Sequence, residues 1–195
     1  MAAIEEGELV VIPTDTVYGL ACTPDDAAVV GALCQLKRRA AGQPITLVAA
    51  SVDGLIERAP ELRGRSETLA RSLLPGPLTL VLPNPARRYP WLTGERPQTI
   101  GVRVPEVEGP AREFLAEVAV VAATSANRHG GTDPRRLADV PREILDAVAA
   151  TIDGGELPGT PSTVLDLTAP KPRVLREGAV PAADALARVA ALLAE

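Results

Sequence analysis

The chain has 195 residues, a net charge of −5 at pH 7, one His, two Cys, one Trp, one Phe and two Tyr. These counts exclude a four-ligand structural zinc site, restrict any Ser-His-Asp relay to His129, and leave too few rings for a base-stacking platform. The acidic balance argues against a surface built for nonspecific nucleic-acid binding, and no apolar run reaches the roughly 20 residues of a membrane span.

Residues 8–12 read as a short buried strand stopped by Pro13. Thr23-Pro24-Asp25-Asp26 reads as a helix start with Thr23 at the N-cap, Pro24 at N1 and acids in the first turn. Val29, Leu33 and Leu36 give that helix one apolar stripe, and it should end near Lys37-Arg38-Arg39. A strand over 45–50, short helices over 52–58 and 66–74, and a strand over 78–82 follow. Residues 83–98, with four Pro, read as a long loop. Next come a strand over 99–104, a helix over 110–118 and a strand over 119–123. A helix is predicted over 137–149, a short extended pair at 151–152, strands over 163–167 and 173–175, and a final helix over 184–193. Strands alternating with helices and no dividing linker predict one α/β domain spanning 1–195.

Of the 20 basic residues, 18 are Arg; the only Lys are Lys37 and Lys171, and the only Asn are Asn84 and Asn127. Any chemistry must run on Arg, Lys, hydroxyls, amides, carboxylates and backbone N–H groups, a set suited to phosphate. Four polar segments follow strands or helix ends. Thr14-Asp15-Thr16 suits a small zwitterion, or simply a turn satisfying its own backbone. Lys37-Arg38-Arg39 carries phosphate-binding cations, or is a solvated helix C-terminus, with Arg38 pointing away. Thr124-Ser125-Ala126-Asn127 forms an oxyanion nest or an ordinary strand exit. Arg176 closes a late strand, with a surface ion pair as its plain alternative, and Cys22 and Cys34 read as packing residues.

In order, P-T-D-T-V-Y-G-L (13–20), K-R-R-A-A-G-Q-P-I (37–45), L-P-G-P-L-T-L-V-L (74–82), T-I-G-V-R-V-P (99–105), T-S-A-N (124–127), P-S-T-V-L-D-L (161–167) and V-L-R-E-G (174–178) resemble the YrdC-like family. That resemblance implies a twisted open mixed β-sheet flanked by helices, with a basic concave cavity. It implies L-threonylcarbamoyladenylate synthesis from L-threonine, bicarbonate and ATP, with Mg²⁺ carried mainly by the ATP phosphates, for tRNA threonylcarbamoyladenosine formation. It also implies a functional link to the tRNA threonylcarbamoyl-transferase machinery; separately, two Cys and no signal-peptide pattern lead us to expect a cytoplasmic protein.

Position by position, the resemblance assigns Lys37 and Arg39 as catalytic cations. It assigns Lys37, Arg39, Gln43, Thr99, Ser125, Asn127 and Arg176 to ATP, and Thr16, Arg103 and Ser162 to threonine. Gln43, His129, Asp133 and Arg135 depart from the residues frequent there; an anionic Asp133 beside phosphates calls for a compensating cation, Mg²⁺ or Arg135. Too little chain follows Gly178 for the extra C-terminal domain of longer members, so the single-domain form is expected. Two other readings keep the same concavity: a non-catalytic module with weak RNA binding, and a paralogue using a different carbamoyl acceptor.

Overall fold

The computed structural model describes residues 2–39 and 42–194; Ala40 and Ala41, inside the 37–45 motif, and the two terminal residues lie outside it. The elements are α1 (Ala2–Glu5), β1 (Val10–Ile12), β2 (Gly19–Cys22), α2 (Ala27–Leu36), β3 (Thr46–Ala49), α3 (Val52–Arg58), α4 (Arg65–Leu73), β4 (Leu78–Pro83) and β5 (Thr99–Arg103). They continue with α5 (Gly109–Val118), β6 (Val120–Ser125), α6 (Arg142–Leu145), β7 (Ala150–Thr151), β8 (Thr163–Asp166), β9 (Arg173–Arg176) and α7 (Ala182–Leu193). The strands form one sheet in the order β7-β1-β2-β6-β3-β5-β4-β8-β9. It is mixed: β2/β6, β3/β6, β4/β5 and β8/β9 are antiparallel, while β1/β7, β3/β5 and β4/β8 are parallel.

Side-chain alternation along the strands gives this sheet two different faces. Leu47 and Ala49, Ile100 and Val102, Leu78 and Leu80, and Leu165 join one core with buried residues of α2, α3, α4 and α7. On the opposite face, Ile4 of α1 and Leu115 of α5 pack on Val10, Ile12, Ala21, Val48, Val121 and Ala123. Those two helices cover only one flank of that face. Over β3, β5, β4 and β8 the alternate positions mix Thr46, Gly101, Arg103 and Thr79 with Val48, Val81 and Val164, and they floor a cavity.

Two expectations from sequence are corrected, and one strand is added. The N-cap of α2 is Asp26, not Thr23: its carboxylate accepts from Ala28 N at 2.7 Å and Val29 N at 3.3 Å, whereas the Thr23 hydroxyl accepts only from Asp25 N. Residues 137–149 do not form one helix. Pro141, lacking an N–H, separates a 3₁₀ turn over Leu137–Asp139 from the single turn of α6. Residues 19–22, to which the sequence pattern assigns no element, are strand β2, and all four are buried.

The long connection over 84–98 is held by one of the two Asn. Asn84 is fully buried; its Nδ2 donates to Arg88 O and Pro97 O, and its Oδ1 accepts from Arg88 N. Cys22 and Cys34 are free thiols, and burial pushes Cys22 up to about 12, as expected of a packing residue.

Candidate active site

The cationic corner begins where α2 stops. Arg38 adopts a left-handed conformation at φ +51. Its N–H reaches Gln35 O and the Arg39 N–H reaches Cys34 O, each at 2.9 Å, the paired bonds of a Schellman ending. This reversal exposes Arg38 and turns Lys37 and Arg39 inward.

Lys37 is only 1% exposed. Its three ammonium donors are spent on the turn after β6: Ser125 O, Asn127 O at 2.5 Å and Asn127 Oδ1 at 3.0 Å. Burial, then the neighbouring Arg39, lower its pKa to about 8, against an opposing pull from Asp133. Ser125 Oγ donates to the same Asn127 Oδ1 at 2.7 Å, and His129 N donates to Lys37 O at 2.9 Å. The scarce Lys and the second Asn thus meet as a scaffold for the nest.

In front of that scaffold lies a cavity of about 470 Å³, within the range of small-molecule sites. Four guanidiniums line it, from Arg39, Arg96, Arg103 and Arg176, against one lining carboxylate, Glu95. Arg39 donates to Pro44 O at 2.6 Å and Thr124 Oγ1 at 3.3 Å, and its buried Nε has no acceptor among the described residues. Burial lowers the pKa of Arg39 and Arg176, and Arg176 adds to the effect on Arg39, as expected where like charges converge.

Arg176 reaches the cavity through a break in strand parity. Val164 pairs with Arg176, but Leu165 pairs with Val174, so Leu175 is an extra residue on β9. Without it, Arg176 would share the core-facing side of Val174. Its guanidinium donates to Ser162 O at 2.8 and 3.2 Å and to Ser162 Oγ at 3.2 Å; Ser162 Oγ in turn lies 2.8 Å from Thr79 Oγ1. Gly178 seals this corner, since a Cβ there would lie 2.1 Å from Pro161 O.

At the other end, Arg103 pairs with Asp15 and donates to Thr16 Oγ1 at 2.9 Å. Asp15 also accepts from Glu106 N at 3.2 Å. Arg103 is 8% exposed, its Nε has no partner among the described residues, and burial lowers its pKa despite Asp15. Arg103 faces the cavity while Asp15 holds it from behind, so this end suits a ligand carboxylate.

Of the residues assigned from sequence, Arg39, Thr99, Arg103, Ser125, Ser162 and Arg176 line this one cavity. Thr16, Lys37 and Asn127 lie behind its wall, each bonded to a residue or turn that faces it. Gln43 sits between the lining residues Gly42 and Pro44, its amide 3.5 Å from His129 Nε2. The Thr99 hydroxyl is donated to Arg96 O at 3.0 Å. Thr14 and Thr124, from two of the polar segments singled out in the sequence, also line the cavity, whereas sequence reasoning missed Thr46, Thr79 and Arg96. Thr79, a lone polar residue at an alternate position in a leucine-rich strand, carried a legible signal; Arg96, inside the Pro-rich loop, carried none.

The balancing of Asp133 also differs from expectation. Arg135 is occupied elsewhere, with Glu156 Oε1 at 3.0 Å and Leu157 O at 3.3 Å. The cations that feel Asp133 are Lys37 and Arg176.

The Sua5/YciO/YrdC family model, described as telomere recombination, matches residues 2–178. The chain belongs to the Sua5/YciO/YrdC family. Within it, a threonylcarbamoyl-AMP synthase of Pyrococcus abyssi is 37% identical over 179 residues, 91% of this chain and 52% of that protein. A putative threonylcarbamoyl-AMP synthase of Mycobacterium tuberculosis H37Rv is 36% identical over 184 residues, 92% of this chain and 82% of that protein. The structure of P. abyssi Sua5 complexed with L-threonine superposes with a TM-score of 0.81 at 34% identity, covering 96% of this chain and 55% of that one. E. coli YciO gives 0.74 at 29% identity, covering 91% and 86%. The chain therefore spans about half the length of the P. abyssi protein and most of the length of the mycobacterial one. Among the described residues, no helix is long and apolar enough to cross a membrane.

Proposed function

We propose that the chain is an L-threonylcarbamoyladenylate synthase that joins L-threonine, bicarbonate and ATP and releases pyrophosphate. The observation that carries this reading is the convergence of Arg39, Arg103 and Arg176 on one cavity, with the Asp15–Arg103 pair at one end. The threonine amine takes up bicarbonate with loss of water to give a carbamate. A carbamate oxygen then attacks the α-phosphorus of ATP, the bond to the β-phosphate oxygen breaks, and pyrophosphate leaves. The nucleophile arrives already anionic, so the site has little proton transfer to perform. Its work is positioning and charge neutralisation, which fixed guanidiniums supply.

Arg103, held by Asp15 and Thr16, suits the threonine carboxylate, with Ser162 and Thr14 at hand for its polar groups. Arg39, Arg176 and the nest at Ser125 suit the phosphates, with Lys37 and Asn127 bracing that nest from behind. Gln43 and Thr99 belong to the nucleotide end. Among the described residues, no group of three or more His, Cys, Asp or Glu side chains is placed to hold a metal. Mg²⁺, which favours oxygen ligands and keeps substrate phosphates among them, therefore fits as part of the ATP substrate. When bound it would neutralise phosphate charge beside Arg39 and Arg176. We further propose that the product supplies the tRNA threonylcarbamoyl-transferase machinery.

The test is a four-component assay with product mass. Pyrophosphate should appear only when L-threonine, bicarbonate, ATP and Mg²⁺ are all present, with a nucleotide of the mass of threonylcarbamoyl-AMP. Threonine-independent release, or no release under conditions where the P. abyssi enzyme works, overturns the reading.

A further inference from the structure

Asn127 has four side-chain partners, three of them of fixed polarity. Its Oδ1 accepts from Lys37 Nζ at 3.0 Å and from Ser125 Oγ at 2.7 Å; its Nδ2 donates to Gly131 O at 2.6 Å and to Asp133 Oδ1 at 3.1 Å. A flipped amide would set Nδ2 against the ammonium and Oδ1 against a carbonyl and a carboxylate. The carboxylate cannot donate, so it admits one orientation only.

We propose that Asp133 is the positioning residue of this nest: its carboxylate fixes the Asn127 amide and supplies the counter-charge for the Lys37 ammonium buried behind it. The charged and titratable groups acting on Lys37 are Cys34 from α2, Arg39 just beyond that helix, and Asp133 from the loop after β6. Cys34 is a thiol that burial holds protonated, and Arg39 repels. That leaves Asp133 as the one carboxylate in the set. Its neighbour Arg135 is paired with Glu156 instead. Asp133 thus extends the directly bonded pair Lys37–Asn127 into one unit, Lys37–Asn127–Asp133, which Ser125 joins through its hydroxyl. The bearing of this unit on catalysis rests on the synthase reading; the hydrogen-bond chain itself does not.

Composition makes the test direct, because the chain has two Lys and two Asn. In the 195-residue chain carrying ¹³Cε-lysine, Lys37 gives one of two lysine signals, and Lys171→Arg assigns it. Wild type should titrate near a midpoint of about 8. Asp133→Asn, which retains an acceptor for Asn127 but removes the charge, should lower that midpoint by about one unit. With ¹⁵N-asparagine, the Asn127 side-chain amide should stay distinct and protected in wild type and in Asp133→Asn. In Asp133→Ala its exchange should accelerate by about tenfold or more, as one donor loses its fixed acceptor.

An unmoved Lys37 midpoint in Asp133→Asn, or an unchanged Asn127 amide in Asp133→Ala, overturns the proposal. If Asp133→Ala does not fold, the Lys37 titration in Asp133→Asn decides alone. Neither measurement uses substrate, so failure of the synthase reading would leave both outcomes standing.

Discussion

The Lys37 ammonium lies 3.0 Å from Asn127 Oδ1, and both residues sit inside the cavity wall rather than on its surface. Arg39, two residues further on, does face the cavity. The two cations of one short motif therefore do different work, one bracing the nest and the other meeting the ligand.

Substitution separates those roles. Lys37→Met leaves two carbonyls and an amide oxygen without their charged donor, and should destabilise the protein by about 2–3 kcal/mol in chemical denaturation. Arg39→Gln removes a half-buried guanidinium already short of acceptors. It should change stability by less than about 1 kcal/mol yet weaken ATP binding by about tenfold or more. Equal stability losses in the two variants would contradict this division.

The depressed Lys37 pKa sets an alkaline signature. Below about 8 the lysine is protonated in both folded and unfolded chains, and the penalty of burying its charge is fully present. Between about 8 and its ordinary 10.5, the unfolded chain keeps the proton and the folded chain has released it. This group's contribution to stability therefore rises with pH across that window, by up to about 3 kcal/mol. Ligand binding should move the opposite way, because a neutral amine has one donor fewer for the nest. Denaturation and ATP titrations at pH 7.5 and 9.5 measure both, and Lys37→Met should abolish the divergence.

Asp166 governs the acid side. Burial raises its pKa, but hydrogen bonds from Thr168, Arg173 and Arg96 outweigh burial and bring it down to about 2. Its stabilisation is present above the ordinary carboxylate value of 3.8 and is lost as pH falls towards about 2. The loss should be on the order of 2 kcal/mol, and Asp166→Asn should remove most of that dependence. Because Arg96 lines the cavity, the same variant should also weaken ligand binding at neutral pH.

Arg38 holds a left-handed conformation that glycine adopts without strain. Arg38→Gly should stabilise the protein by about 1 kcal/mol and leave ATP binding within about twofold, since the side chain is exposed. A loss of stability would mean that the helix ending is held by the side chain rather than by its two backbone bonds.

The strands were legible wherever apolar runs met Pro or Gly, as at 10–12, 46–49, 78–83 and 99–103. The failures were of three physical kinds. Strand β2 was hidden because Gly19, Leu20, Ala21 and Cys22 have no alternation: the strand is central and buried on both faces. Pro141 was outvoted by the helical pattern around it. Arg176 was found by family likeness; its facing depends on a bulge that no periodicity reveals. In the site, residue types named the chemistry, but only packing distinguished groups on the surface, such as Arg39, from groups behind it, such as Lys37 and Thr16.

Strand β9 is the last in the sheet, paired only through β8. Arg176, at its end, is thus carried by an edge strand, and an opening of that edge withdraws a guanidinium from the cavity. Occupancy and edge opening are then linked equilibria: a ligand that grips Arg176 must slow amide exchange across residues 173–176. Any partner that adds a strand to β9 would tighten the same grip from outside.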